Sequence, residues 1–489
     1  MLLLCFTVMG ILVYDDYGIS WDEPMQRSYG QAAVEYALEG DTTLHQHDSR
    51  YHGPAFQMLL YSVEQTFATE RTAYKIRHLF TFLFSVVGLA FFYKLLLALA
   101  FKPHWAGLGI IFLACSPRIL AHSFYNSKDA VFMYMFIVCI YFLVRFLQKP
   151  SFVLAIALGL CTGILIDIRI LGLFVPIFLI GIWLIRSVRD FAFAKKSAGL
   201  MVLSGSVSLL AIVAFWPTLW HNPIAEFGNA LAKMGDYPWD DFVLFEGVFA
   251  QPLDLPWYYL PKWVIISTPL AVLLFSALGL LPWLLDRDKP VWTKLLPVIW
   301  LVPFVIIVAK GATVYDGWRH VFFLYPALLI LAVAGAKFAF SRWSGLPFVK
   351  WIPVAVAFIP LVFIVRSHPH QQVYFNPLAT ENAWHNYEMD YWGLSYKQAL
   401  EYVCETKPEG DLRLSVANSP GRFNQMQLKQ ADIDRIVWLN RDSADFFLSN
   451  FRFPGEHKPF VKGDGAYAKP LLLVKVDDNP IMGVFDCRN

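Results

Sequence analysis

The stretch SFVLAIALGLCTGILIDIRILGLFVPIFLIGIWLI, residues 151–185, carries only two charges, Asp167 and Arg169. One membrane crossing takes about 20 apolar residues, so the stretch is too long for a single span. Two charges held at mid-bilayer are also costly. Both problems disappear if the chain turns at Asp167–Arg169 on one membrane surface. The stretch then reads as two membrane helices, 152–166 and 170–185, joined by a tight turn.

Working outward, the same test finds apolar runs at 1–14, 76–99, 104–121, 130–147, 199–217, 262–285, 294–309, 320–338 and 350–365. The expected fold class is an α-helical polytopic membrane protein with about 11 transmembrane helices. The first run is too short to cross comfortably and lacks the basic residues of a signal peptide. Either the natural chain begins upstream of Met1 or this helix sits shallow. Composition agrees with a membrane class: 57% of residues are hydrophobic and 16% charged, against about a quarter charged in soluble domains. A net charge of +2 gives no general basic field and no case for a nucleic-acid partner. The six Cys are scattered, without the spacing of a zinc site.

Lys and Arg alternate between the turns: Lys102; Arg145 and Lys149; Arg186, Arg189, Lys195 and Lys196; Arg287, Lys289 and Lys294; Arg342 and Lys350. By the positive-inside rule these turns are predicted to be cytoplasmic. The segments 15–75, 122–129, 167–169, 218–261, 310–319 and everything after 366 then face outward. Within 15–75, GPAFQMLLYSVEQTFA reads as a helix lying on the membrane surface. Segment 218–261 shows no period and reads as a loop able to close over something. After residue 366 the hydropathy falls, and SYKQALEYVCE, LRLSVAN and LLLVKVDDNPIMGVFD predict a small α/β domain with a hairpin near Asp477–Asn479. Two domains follow: 1–366 in the membrane and 367–489 outside. Cys404 and Cys487 are the only Cys in the outer domain, where a disulfide between them could persist.

The outward segments carry acids and bases together at the span ends, Asp22, Glu23, His52, Lys128, Asp129, Asp167, Arg169, Lys310, Asp316, Arg319 and His320, while the core of the spans is almost free of charge. An ion pathway would string such groups across the bilayer; here they gather at one surface. Arg and Lys at that depth suit a lipid phosphate. A carboxylate suits general-base catalysis toward a hydroxyl. Together they suit glycosyl transfer from a polyprenyl-phosphate sugar, in which the leaving phosphate needs held charge and no separate acid.

The motif SWDEP after the first apolar run resembles the Asp-Glu motif of the GT-C glycosyltransferases of the family 39 type, the group of the protein O-mannosyltransferases and the lipid A aminoarabinose transferase. YHGPAFQMLLY is similar to their HPPL segment. SPRILAHSFYNSKDAVFM, GLCTGILIDIRILGLFVP, YDGWRHVFFLYP and HPHQQVYFNPL resemble further segments in the same order. The likeness implies a GT-C fold with a periplasmic domain, in the bacterial cytoplasmic (inner) membrane. It implies a hexosyl- or pentosyltransferase using a polyprenyl-phosphate-sugar donor and a lipid, glycan or protein acceptor. By it Asp22 is the candidate base and Glu23 orients it or binds acceptor. His52, Lys128, Asp129, Arg169, Arg319 and His320 are the candidate substrate-binding residues. No cofactor is expected, and a divalent metal is judged dispensable although related oligosaccharyltransferases use one.

Plainer readings stand beside these. Asp22, Glu23 and Pro24 suit the start of a helix. Lys128–Asp129 fits a helix cap as well as a cavity wall. Asp167–Arg169 fits a local ion pair as well as a phosphate site, and Arg319–His320 fits a head-group anchor. His45, His47 and His52 are too loosely spaced to argue for a metal. A transporter or flippase of lipid-linked sugars is the alternative; it predicts charges inside the spans and a second polar vestibule on the cytoplasmic side.

Overall fold

A computed structural model of the chain describes residues 1–235, 239–342 and 352–488. Every apolar run falls on helix. In chain order the helices are α1 (Leu2–Val13), α2 (Glu23–Glu39), α3 (Ala55–Phe67), α4 (Ala73–Ala98), α5 (Pro103–Ala114), α6 (Pro117–Tyr125), α7 (Asp129–Gln148), α8 (Phe152–Ile168) and α9 (Phe174–Ser187). They continue with α10 (Phe191–Phe215), α11 (Pro223–Gly235), α12 (Tyr259–Ser267), α13 (Leu270–Leu285), α14 (Val291–Ala309), α15 (Tyr325–Arg342) and α16 (Ile352–Arg366). The first two residues of the 350–365 run lie outside the described residues.

The chain is a multi-pass membrane protein. Among the described residues six helical stretches are long and apolar enough to cross alone, or eight if each of two bent pairs is one span. The pair α5–α6 bends by 69° and the pair α12–α13 by 112°. Proline explains both. Ser116 and Thr268 precede Pro117 and Pro269 and are driven to extended backbone (ψ 106° and 138°), because a proline ring disfavours helix in the residue before it. At the sharper break the carbonyls of Ile265, Ile266 and Thr268 all accept hydrogen bonds from Asn376, as a backbone inside a membrane protein requires. Helices α13 and α15 touch backbone to backbone: a Cβ on Gly279 would lie 1.9 Å from the Leu331 carbonyl oxygen, and one on Gly335 1.9 Å from that of Phe275. Small residues permit such close helix pairs.

The turn at Asp167–Arg169 exists, but its two charges part company. Arg169 is extended and ends α8. Asp167 Oδ1 instead accepts the Ala55 backbone N–H at 2.7 Å, capping the start of α3 from a distant part of the chain. Gly53 makes this approach possible, since a Cβ there would sit 2.1 Å from the Asp167 carbonyl oxygen. Helix α3 is the expected amphipathic surface element, and it is clamped to its neighbours: Glu64 accepts from Arg27 at 2.8 Å and from Arg77 at 3.4 Å, while Arg77 donates to Gln57 at 2.6 Å.

Segment 218–261 is more ordered than expected. It holds α11 and an antiparallel hairpin of β1 (Val243–Phe245) and β2 (Val248–Ala250). The C-terminal sheet contains β3 (Leu412–Val416), β4 (Ile436–Trp438), β5 (Phe446–Ser449), β6 (Leu472–Val476) and β7 (Asn479–Asp486), in the order β4-β3-β5-β7-β6. β3 runs parallel to β4 and β5, and the other pairs are antiparallel. The hairpin turn falls at Asp477–Asp478, both left-handed, as a two-residue hairpin with the favoured twist demands. Helix Tyr396–Thr406 packs Tyr396, Leu400 and Val403 on this sheet, whereas Phe375, Tyr387, Tyr391 and Trp392 pack with the membrane helices. Asn424 fastens the two parts together: its side chain accepts from Ile19 N–H at 2.8 Å and donates to the Ile19 carbonyl at 2.9 Å and the Pro420 carbonyl at 2.8 Å. Cys404 and Cys487 are both free thiols.

Candidate active site

The acidic turn at the head of α2 splits into two roles. Asp22 is the N-cap residue, yet its side chain makes no capping bond. It turns instead toward Arg319, whose Nη1 lies 3.4 Å from Asp22 Oδ2. Glu23 turns the other way. Its carboxylate accepts the Ser20 N–H at 2.7 Å and meets His78 Nε2 at 2.7 Å, fully buried. The geometry makes Glu23 a positioning residue that fixes the Ser20–Asp22 turn against α4.

Asp129 opens α7, where Asn126 Oδ1 takes its backbone N–H at 2.7 Å. Asn126 does the capping expected of the Lys128–Asp129 pair, and the Asp129 carboxylate is left for two cations. Its Oδ2 accepts from Arg319 Nη1 at 2.9 Å, and its Oδ1 is in ion contact with Arg169. Arg319 Nε also faces Asp316 Oδ2 at 3.2 Å. The guanidinium is walled by the rings of Tyr315, Trp392 and Tyr391 at 4.9, 4.8 and 5.5 Å. Residues 22, 129, 169 and 319, from four separate segments, thus form one chain of alternating charge. Of its two carboxylates, Asp129 is 1% exposed and Asp22 26%, so Asp22 is the accessible one.

Lys128 and His52 line a pocket beside this cluster with Gln26, Tyr29, Gln57 and Ser127. Burial, with Arg169 nearby, lowers the Lys128 ammonium to about 7. Burial and the Lys128 and Arg169 cations push the His52 imidazole well below its usual range; a neutral ring next to cations suits hydrogen bonding rather than charge. His320 lies edge-on to Tyr315, ring centroids 4.8 Å apart, at the rim of the same group. Asp22, Asp129, Arg169, Arg319, Lys128, His52 and His320 are therefore brought together, and Glu23 is not.

The sequence places Asp316 among the outward ionisable groups without a role, and passes over Tyr391, Glu388 and Arg452. Asp316 is buried in a left-handed turn with Gly317, as the Asp-Gly pair in YDGW allows. Burial raises its carboxyl to about 6 against the pull of Arg319 and Arg118. Among the described residues no group of three His, Cys, Asp or Glu side chains is arranged to hold a metal ion.

The chain is thus a set of apolar helices, two pairs of them broken at proline, followed by a C-terminal α/β domain. A solved structure that shares this fold is ArnT from Cupriavidus metallidurans bound to undecaprenyl phosphate. The match covers 98% of this chain and 97% of that one, with a TM-score of 0.51 and 14% sequence identity, a likeness of fold. Arabinofuranosyltransferase AftD from Mycobacteria aligns more loosely, at 12% identity over 99% of this chain and 41% of its own, with a TM-score of 0.39 that carries no argument. No family model and no curated protein sequence matches the chain.

Proposed function

We propose that this protein is an inverting glycosyltransferase. It moves a sugar from a polyprenyl-phosphate-linked donor to a hydroxyl acceptor at the outer face of the bacterial cytoplasmic membrane. The observation that carries the reading is the Arg319 guanidinium shared by buried Asp129 and accessible Asp22, in a fold whose solved neighbour holds undecaprenyl phosphate. The Asp22 carboxylate takes the proton of the acceptor hydroxyl. The hydroxyl oxygen bonds to the anomeric carbon from the side opposite the phosphate, and the bond to phosphate breaks. The electron pair leaves on the polyprenyl phosphate, where Lys128, Arg169 and Arg319 hold its charge. The proton on Asp22 passes to water and the base is restored. Asp129 keeps the two guanidinium groups in place. The Lys and Arg pattern of the turns supports an outward C-terminal domain, periplasmic in a bacterium, and a reporter fused after Asn489 tests it.

The experiment for the catalytic reading is transfer by the purified protein with Asp22→Asn. The change keeps shape and removes the base. Transfer should fall by about 10²–10⁴-fold, the usual range for a general base, while undecaprenyl phosphate still binds. Near-normal turnover would move the base elsewhere, Asp316 being next. The transporter reading rests on the groove among Gln148, Arg186, Arg189 and Trp292 at the opposite helix ends. It predicts movement of lipid-linked sugar with no covalent transfer, so the same assay separates the two.

A further inference from the structure

A second pocket sits where the 384–391 segment, the β1 strand and the C-terminal domain meet. Glu388, Tyr391, Asn450, Arg452, Trp384 and His457 are among its walls. Glu388 is 6% exposed, and neither of its carboxylate oxygens has a hydrogen-bond partner. Arg452 is also 6% exposed; one nitrogen reaches Asp241 at 3.2 Å, while its Nε and Nη1 have no partner. A buried carboxylate and a buried guanidinium with unused bonds are costly to keep. Nothing in the proposed transfer chemistry uses them. Burial raises the Glu388 carboxyl to about 8, with Arg452 opposing the shift.

This pocket is wired to the candidate active site. The Arg452 guanidinium lies 4.1 Å from the Tyr391 ring and 4.6 Å from the Trp21 ring. Tyr391 in turn faces Arg319, and Trp21 is the neighbour of Asp22. The cavity has space for about one water-sized group. A bulky apolar head would not enter it, whereas a single hydroxyl of a polyhydroxylated ligand would. Such a hydroxyl can donate to Glu388 and accept from Arg452 while the rest of the ligand stays outside the cavity.

We propose that this pocket is the acceptor subsite, and that the acceptor is a sugar one of whose hydroxyls reaches Glu388 and Arg452, placing another hydroxyl at Asp22. The assignment rests on the glycosyltransferase reading and narrows its acceptor from lipid, glycan or protein to a saccharide. The lipid phosphate is held on the Lys128 side of Arg319 and the saccharide on the Arg452 side, so the two substrates approach Asp22 from different walls.

The test uses the full-length protein in lipid nanodiscs and two probes: undecaprenyl phosphate, and a panel of neutral hexose and pentose oligosaccharides at millimolar concentration. Binding is read by tryptophan fluorescence and by thermal shift. At least one oligosaccharide should bind the unaltered protein. Glu388→Gln and Arg452→Lys should each weaken it about tenfold, the scale of one buried hydrogen bond. Both variants should bind undecaprenyl phosphate within about twofold of the unaltered protein, which also shows that they fold. Arg319→Ala should reverse the pattern, weakening undecaprenyl phosphate more than the oligosaccharide. Undecaprenyl phosphate binding without any oligosaccharide binding, or oligosaccharide binding that both variants keep, overturns the acceptor assignment alone. Failure of undecaprenyl phosphate to bind the unaltered protein overturns the glycosyltransferase reading beneath it, and the assignment with it.

Discussion

Arg319 and Asp129, 190 residues apart in the chain, meet at 2.9 Å with both side chains shut away from solvent. A buried ion pair of this kind is weak evidence for stability, because desolvation offsets most of the attraction. Removing one partner is a different matter, since Asp129 is what balances two guanidinium groups, Arg319 and Arg169.

Asp129→Ala should therefore destabilise the protein by about 3–5 kcal/mol, the range for breaking a buried pair. Thermal unfolding in detergent measures it. Arg319→Ala leaves Asp129 with Arg169 as its remaining cation and should also weaken undecaprenyl phosphate binding. Arg319→Lys should recover only part of that binding, because Lys offers a point charge where Arg offers a fork. Full recovery with Lys would mean that the site needs charge alone.

Lys128 gives the site a pH dependence with a definite sign. In the ligand-free protein its ammonium is lowered to about 7, so it is charged below that pH and increasingly neutral above it. Its contribution to phosphate binding should fade between about pH 6 and 8. Lys128→Arg stays charged throughout. The ratio of undecaprenyl phosphate affinities, variant over unaltered protein, should rise across this window; a flat ratio would remove Lys128 from the phosphate site. The same shift bears on folding. A Lys whose folded value lies below its unfolded one makes the folded state bind fewer protons, so stability should rise with pH across the interval from about 7 to 10.

Glu23→Gln should separate position from chemistry. The amide keeps the shape but loses the charge-assisted bonds to Ser20 and His78. A loss of about 1.5–3 kcal/mol in stability is expected. Turnover per folded molecule should fall far less than in Asp22→Asn. Equal losses in kcat would return Glu23 to the reacting group.

Chelator should leave transfer intact. Asp22, Asp129 and Asp316 are arranged around the Arg319 guanidinium, which stands where a divalent ion would need to sit. A magnesium site demands near-octahedral oxygen ligands. Activity lost in excess chelator and restored by manganese would make these carboxylates metal ligands that rearrange on loading.

Much of this was legible in the sequence, for identifiable reasons. Charges near membrane spans are scarce, so Asp22, Asp129, Arg169 and Arg319 stood out and their common side could be inferred from the Lys and Arg of the opposite turns. The helix breaks were visible as Ser-Pro and Thr-Pro inside apolar runs, but a length test run across them merges the two halves. What could not be read was pairing. Asp167 and Arg169 look like partners two residues apart, yet one caps α3 and the other reaches Asp129, because an extended residue at the end of α8 sends their side chains to different neighbours. β4 and β5, at three and four residues, are too short to show a period. Glu388 and Arg452 lie in segments away from any membrane-length apolar run, where a charge is unremarked until the fold buries it.

The two-way bond between Asn424 and Ile19 has a consequence for biogenesis. The segment carrying Asp22 emerges from the ribosome early, and the segment carrying Asn424 emerges near the end. Until the later one folds, the turn before Asp22 lacks the partner that fixes its backbone. The membrane helices can therefore be inserted while the turn before Asp22 still lacks this anchor. On the proposed transferase reading, a product truncated before Asn424 would reach the bilayer with its candidate base unanchored.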